Sequence, residues 1–361
     1  MTQKHRTVGS LFVQPLQGFW RIGVTFASMH SIPLHMKHRS SLRLALCALV
    51  LTSAALVHAE ANPYLGRWAL VLPGGGAGWL GVEEKGQQLT SSVLWGGGSV
   101  VPTASTKVEG GQLVVTRTQK NKEGKVTTET ITATREGDAL QLTTVKHDHE
   151  GKQQGQPTSF TGQRIADVPP APDLSKVKFG EPVALFNGTD LTGWRLIKPD
   201  ADNGWSAQGG VLQNRVSKEK GKHFGNLRTD AEFTDFNLKL EVRTLEKSNS
   251  GIYLRGIYEV QVMESYGQRL DSHHMGALYS RITPSVAAEK PIGEWQTLDI
   301  TLVDRHLTVV LNGQTIIDNQ PVLGCTGGAL TSDETKPGPI YLQGDHTDVD
   351  YRNIVLRQVV K

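Results

Sequence analysis

Short runs in which apolar and polar side chains alternate, rather than recur every three or four positions, make up most of the chain after about residue 66. In the first half these runs are Arg67 to Leu72, Gln87 to Trp95, Gln112 to Thr118, Val126 to Thr134, Ala139 to Lys146 and Thr158 to Ile165. Turn clusters separate them: Gly74-Gly75-Gly76, Glu109-Gly110-Gly111, Glu123-Gly124 and Glu136-Gly137-Asp138. That spacing predicts an all-β meander or small barrel over residues 60–165. Three prolines within Pro169-Pro170-Ala171-Pro172 then remove backbone donors, so residues 166–177 read as a stiff linker.

From 178 to 361 the β pattern resumes. Strands are expected at Val183 to Phe186, Trp205 to Gln208, Val211 to Gln213, Phe236 to Thr244, Gly251 to Arg255, Tyr258 to Glu264, Trp295 to Val303, His306 to Leu311, Gln314 to Asp318, Gly338 to Gln343 and Val349 to Gln358. Asn312-Gly313 is a strong two-residue hairpin signal. So many strands without helical crossovers predict a two-sheet antiparallel sandwich of jelly-roll type.

Composition changes the picture at the N-terminus. Residues 1–59 carry six Lys or Arg and no Asp or Glu. Removing those six from the 38 basic residues leaves 32 against 35 acidic ones, so the formal charge of +3 becomes −3 for the remainder. The basic balance therefore points to neither nucleic acid nor anionic membrane. Lys37, His38, Arg39 and Arg43 precede an apolar run from Leu44 to Val57, and Val57-His58-Ala59 offers a cleavage site. This is the pattern of a signal peptide cut after Ala59, giving a protein exported to the periplasm or beyond, with no membrane association afterwards. The apolar run is 14 residues long, against about 20 needed to span a bilayer. Cys47 lies within it, so Cys325 is the one cysteine after cleavage; no internal disulfide forms, and Cys325 is expected to be a small buried residue.

The most informative stretch runs from Ser248 to Gly267. In its second half Tyr258, Val260 and Val262 fall on one face of a strand, with Glu259, Gln261 and Met263 on the other. A hairpin loop at Gly256-Ile257-Tyr258 would set Arg255 opposite Glu259 and Tyr253 opposite Gln261, gathering four polar groups into a sugar-binding surface. A two-residue loop would scatter them. His147-Asp148-His149 and His273-His274 read as polar loop residues rather than metal ligands, and Trp194, Trp205 and Trp295 as core.

Five motif blocks carry a resemblance. They are Leu185 to Trp194, Ser248 to Gly267, Gly293-Glu294-Trp295, Leu311-Asn312-Gly313, and Gly338 to Gln343 continuing through His346 to Ile354. Over about residues 178–359 the chain resembles the 3-keto-disaccharide hydrolase domain family. The resemblance implies a concanavalin A-like jelly roll, export, and cleavage of glycosides whose sugar is oxidised to a ketone at carbon 3.

Laminarinase-type jelly rolls set two carboxylates on one strand face, about 5 Å apart in retaining enzymes. Here Gln261 stands two positions after Glu259, and Glu264 falls on the opposite face. A 3-keto glycoside needs no such pair, because its carbonyl acidifies the proton on carbon 2. A base, an acid and an oxyanion stabiliser suffice. Glu259 and His346 are expected to divide the base and acid roles between them. Arg255 or a divalent cation would stabilise the enediolate, with Gln261, Tyr253, Tyr279 and Gln343 orienting hydroxyls. The competing readings are a non-catalytic carbohydrate-binding module and a conventional endo-glucanase.

Overall fold

The computed structural model describes residues 62–360 apart from 121 and 218, so the leader and its cleavage site lie outside the described residues. Ala59–Lys361 forms one compact unit. The described residues are all-β: no helix occurs among them, and none is long and apolar enough to cross a membrane.

Residues 66–164 form one nine-stranded antiparallel sheet in up-and-down order. Its ends meet. Val101–Pro102 pairs with Gln88–Trp95, and Ser105–Glu109 pairs with Gln112–Lys120. Between them, Thr103 N–H donates to Ser91 O and Ala104 N–H to Thr116 O, so one irregular strand bridges both edges and closes a barrel. Closure leaves few unpaired strand edges. Trp68, Leu70, Leu80, Leu113, Ile131, Leu140 and Phe160 fill the interior.

The strand Ala77–Lys85 was not foreseen. Its two glycines, Gly78 and Gly81, each make room for a neighbour. A Cβ on Gly81 would strike the Trp79 ring at 2.3 Å, and one on Gly78 would strike Leu72 at 2.7 Å.

Residues 183–358 form two sheets. The larger runs Trp205–Gln208, Val211–Asn214, Val349–Gln358, Phe236–Thr244, Trp295–Val303, His306–Leu311, Gln314–Pro321, with Val183–Ala184 also against Val349–Gln358. The smaller runs Trp194–Leu196, Leu227–Thr229, Tyr341–Leu342, Asn249–Leu254, Tyr258–Met263. Phe236, Leu238, Leu240 and Val242 alternate into the core, which Ile252, Leu254, Tyr258, Val260 and Val262 complete from the other sheet. Burying each such side chain contributes roughly 1.5–3 kcal/mol. This is the expected jelly-roll sandwich. Leu311 pairs with Gln314 around Asn312 and Gly313, both at positive φ, as the hairpin signal requires.

Several conspicuous residues belong to this framework. Trp194 Nε1 donates to Leu185 O and Trp205 Nε1 to Gly225 O. Trp295 lies under the guanidinium groups of Arg243 and Arg352, at 4.7 and 4.0 Å. Cys325 is buried against the barrel, and burial pushes its thiol up to about 12, far from a usable nucleophile. The linker is pinned: Arg305 donates to Ala166 O and Asp167 O, and Asn319 to Pro172 O.

Candidate functional site

The polar cleft is built on one face of the smaller sheet. Register places Tyr341, Tyr253 and Glu259 side by side on three adjacent strands. Two residues along, on the same face, Gly251 pairs with Gln261, and Gln343 N–H donates to Gly251 O. Tyr253 and Tyr341 stack at 3.8 Å between centroids, their hydroxyls donating to Gly327 O and Gly328 O. Tyr279 adds a wall beyond Glu259, its N–H donating to Glu259 O. The resulting cleft, of about 260 Å³, is lined by Glu259, Gln261, Tyr253, Tyr279, Gln343 and His346 of the expected set, together with Asn226, Asn249, Tyr341, Asp345 and two glycine pairs. Six of the seven residues singled out from the sequence thus converge.

Arg255 does not. The hairpin loop is one position earlier than expected: Leu254 pairs with Tyr258, and Arg255-Gly256-Ile257 turns the chain, with Arg255 and Gly256 at positive φ. Tyr253 therefore faces Glu259, and Gly251 faces Gln261. The shift carries Arg255 out of the cleft, to donate to Glu334 O and Lys336 O beside a separate cavity of about 690 Å³ between barrel and sandwich.

Gly251 is the reason Glu259 fits. With no side chain opposite Gln261, the Glu259 carboxyl folds over Gly251, and a Cβ there would lie 2.2 Å from Oε1. Gly251→Ala is expected to displace the carboxyl and lower turnover nearly as much as removing it, while the melting temperature shows a folded protein. Wild-type turnover in the alanine variant would show that this seat is not needed.

Burial sets the charge state of the cleft. Glu259 is 3% exposed, and desolvation pushes its carboxyl up to about 8 against the Tyr253 hydroxyl, which pulls the other way; the nearby Asp345 carboxylate adds to the rise. It holds its proton at neutral pH. His346 is half-exposed, and its Nδ1 lies 2.5 Å from Asp345 Oδ1. That hydrogen bond raises the His346 pKa above its ordinary value against partial burial. A carboxylate only accepts, so Nδ1 carries the proton and Nε2 is the ring's basic nitrogen. Gln261 Nε2 donates to Asn249 Oδ1, while Gln261 Oε1 is buried without a partner, an acceptor for a hydroxyl. Among the described residues no group of three or more His, Cys, Asp or Glu is arranged to hold a metal ion.

Asn249 and Tyr341 were within reach of the sequence, since by strand alternation Asn249 shares a face with Tyr253, four positions on, and Tyr341 with Gln343, two positions on. The barrel glycines were not, because nothing in their local pattern points to the sandwich.

The jelly-roll sandwich thus presents a polar cleft on one face of its smaller sheet. Residues 181–357 match the family model of the 3-keto-alpha-glucoside-1,2-lyase-like domain, and the resemblance read from the motif blocks holds over nearly the same stretch. A crystal structure from Parabacteroides distasonis of a protein proposed to be a glycosyl hydrolase is 28% identical, covering 54% of this chain and 94% of its own, at a TM-score of 0.41. Carbohydrate-binding module CBM66 from Bacillus subtilis is 12% identical over 46% of this chain and 95% of its own, TM-score 0.31. A β-glucanase from Bacillus licheniformis is 10% identical over 51% and 98%, TM-score 0.30. No curated protein matches the chain.

Proposed function

We propose that the chain is an exported enzyme that cleaves 3-keto glycosides by elimination. The observation that carries this reading is the pairing, in one cleft, of a buried carboxyl that stays protonated to about pH 8 with an Asp345-oriented His346. His346 Nε2 takes the proton from carbon 2. The electron pair passes to the carbon-3 carbonyl as an enediolate, then returns to form the carbon-1–carbon-2 double bond as the carbon-1–oxygen bond breaks. Glu259 gives its proton to the departing oxygen, and water later adds across the double bond, so the net change is hydrolysis. Tyr279, Gln343 and the free Gln261 Oε1 hold sugar hydroxyls. With Arg255 removed from the cleft, the Asn226 and Asn249 amides are the nearest replacements as enediolate donors. Export rests on the basic, apolar and small-residue pattern before Glu60.

One observation favours a second reading. Asp345 brings another carboxylate to the cleft beside Glu259, which a conventional glycosidase would use as a pair. Its engagement with His346 speaks for the first. The test is to incubate the protein with the 3-keto and unoxidised forms of one disaccharide: sugar release from the 3-keto form alone is expected, and equal release from both would support the conventional reading.

A further inference from the structure

The barrel lies outside the family match, yet it reaches the cleft. Gly97 and Gly98, in the loop after Gln88–Trp95, line it directly. Gly96 O accepts from Gly328 N–H, and Gly98 approaches Gly327 so closely that a Cβ on Gly327 would lie 2.1 Å from Gly98 O. Beside this glycine-to-glycine contact, Ser99 Oγ lies 2.8 Å from His273 Nε2, and Val100 N–H donates to Ser280 Oγ. His273 is held by Asp271 at 2.6 Å and meets Tyr279 edge-on at 4.9 Å, so the loop both forms a wall and braces a cleft residue. On the jelly-roll side, Trp79 of the barrel lies under Arg281 at 4.5 Å, and Ser332 Oγ donates to Leu70 O. These contacts fix the loop in place rather than leaving it over an open face.

The two sides of the cleft differ. Asp345 and His346 stand with Asn226, whose Oδ1 accepts from Gly344 and Asp345 N–H. The Tyr253 and Tyr341 hydroxyls point instead to Gly327 and Gly328, where the barrel loop docks. If the oxidised ring must present carbon 2 to His346 and its glycosidic oxygen to Glu259, the departing half extends past Glu259 toward the glycines.

We propose that the Gly96–Ser99 loop of the barrel forms the subsite for the leaving-group half of the glycoside, so that the barrel limits the size of leaving group accepted. The proposal rests on the elimination reading for its orientation. A cleft of about 260 Å³ walled on one side by this loop lies near the small end of ligand sites and suits a disaccharide-sized ligand.

Gly97 allows a direct test, since a Cβ there meets nothing within 4 Å and its φ lies outside the left-handed region. Gly97→Trp should lower the ratio of kcat/KM for a 3-keto disaccharide of two glucose units to that for methyl 3-keto-α-glucoside by at least tenfold. Affinities for the same two compounds, measured by calorimetry, should change selectivity in the same direction. Gly97→Asn gives the same readout at smaller amplitude if the tryptophan variant melts early. Unchanged selectivity in both turnover and affinity overturns the proposal. If wild-type protein turns over neither compound but residue 97 still shifts binding selectivity, the elimination reading fails and the barrel subsite stands.

Discussion

Glu259→Gln is expected to lower kcat by about 10²–10⁴-fold while substrate still binds, the range for loss of a general acid. Gln keeps the shape and much of the hydrogen bonding of the protonated carboxyl, so the loss isolates the missing proton. The pH profile makes the assignment sharper. Catalysis needs His346 neutral and Glu259 protonated, so kcat/KM should rise through the raised His346 pKa and fall near pH 8, where Glu259 ionises. In the glutamine variant the residual activity should lose that alkaline limb. Asp345→Asn removes the hydrogen bond that raises His346 and should move the acidic limb to lower pH. A full rate in Glu259→Gln would remove the carboxyl from the chemistry.

The same substitution is expected to stabilise the protein at alkaline pH. Glu259 has its carboxyl raised from 4.5 unfolded to about 8 folded, so across that window the folded state holds a proton that the unfolded state has released. Stability contributed by the neutral buried form is therefore present below about pH 4.5 and lost as pH rises through 8. At 1.36 kcal/mol per pKa unit, the full loss is roughly 5 kcal/mol as an upper figure. Urea unfolding of wild type and Glu259→Gln should give similar midpoints at pH 4 and a clear advantage for the variant at pH 9. Equal midpoints at both pH values would mean that the carboxyl is solvated. A stability cost at this position is what a group kept for chemistry rather than packing would show.

Much of this was legible in the sequence where a local rule decides the outcome. The alternation of Tyr258, Val260 and Val262 against Glu259 and Gln261 separated core from cleft correctly, and Asn312-Gly313 marked its hairpin. The rule failed by one residue at Arg255, because a three-residue loop fits either side of Gly256 and only the burial of Leu254 and Tyr258 in the core selects the register. Short strands such as Trp194–Leu196 and Leu227–Thr229 carry too few residues for a period to appear. The glycine contact between residues 96–98 and 327–328 is a matter of tertiary fit, with nothing in either segment alone to predict it.

The central claim is proton removal at carbon 2, and isotope exchange reads it most directly. The protein is incubated with a 3-keto disaccharide in deuterium oxide, and the released 3-keto sugar is examined by NMR and mass spectrometry. The account predicts one solvent deuterium at carbon 2 of the product, introduced by the enzyme faster than by buffer alone, with slower cleavage when the substrate carries deuterium at carbon 2 and abstraction limits the rate. Cleavage that leaves the carbon-2 hydrogen in place would contradict it and assign Glu259 and Asp345 to a conventional glycosidase.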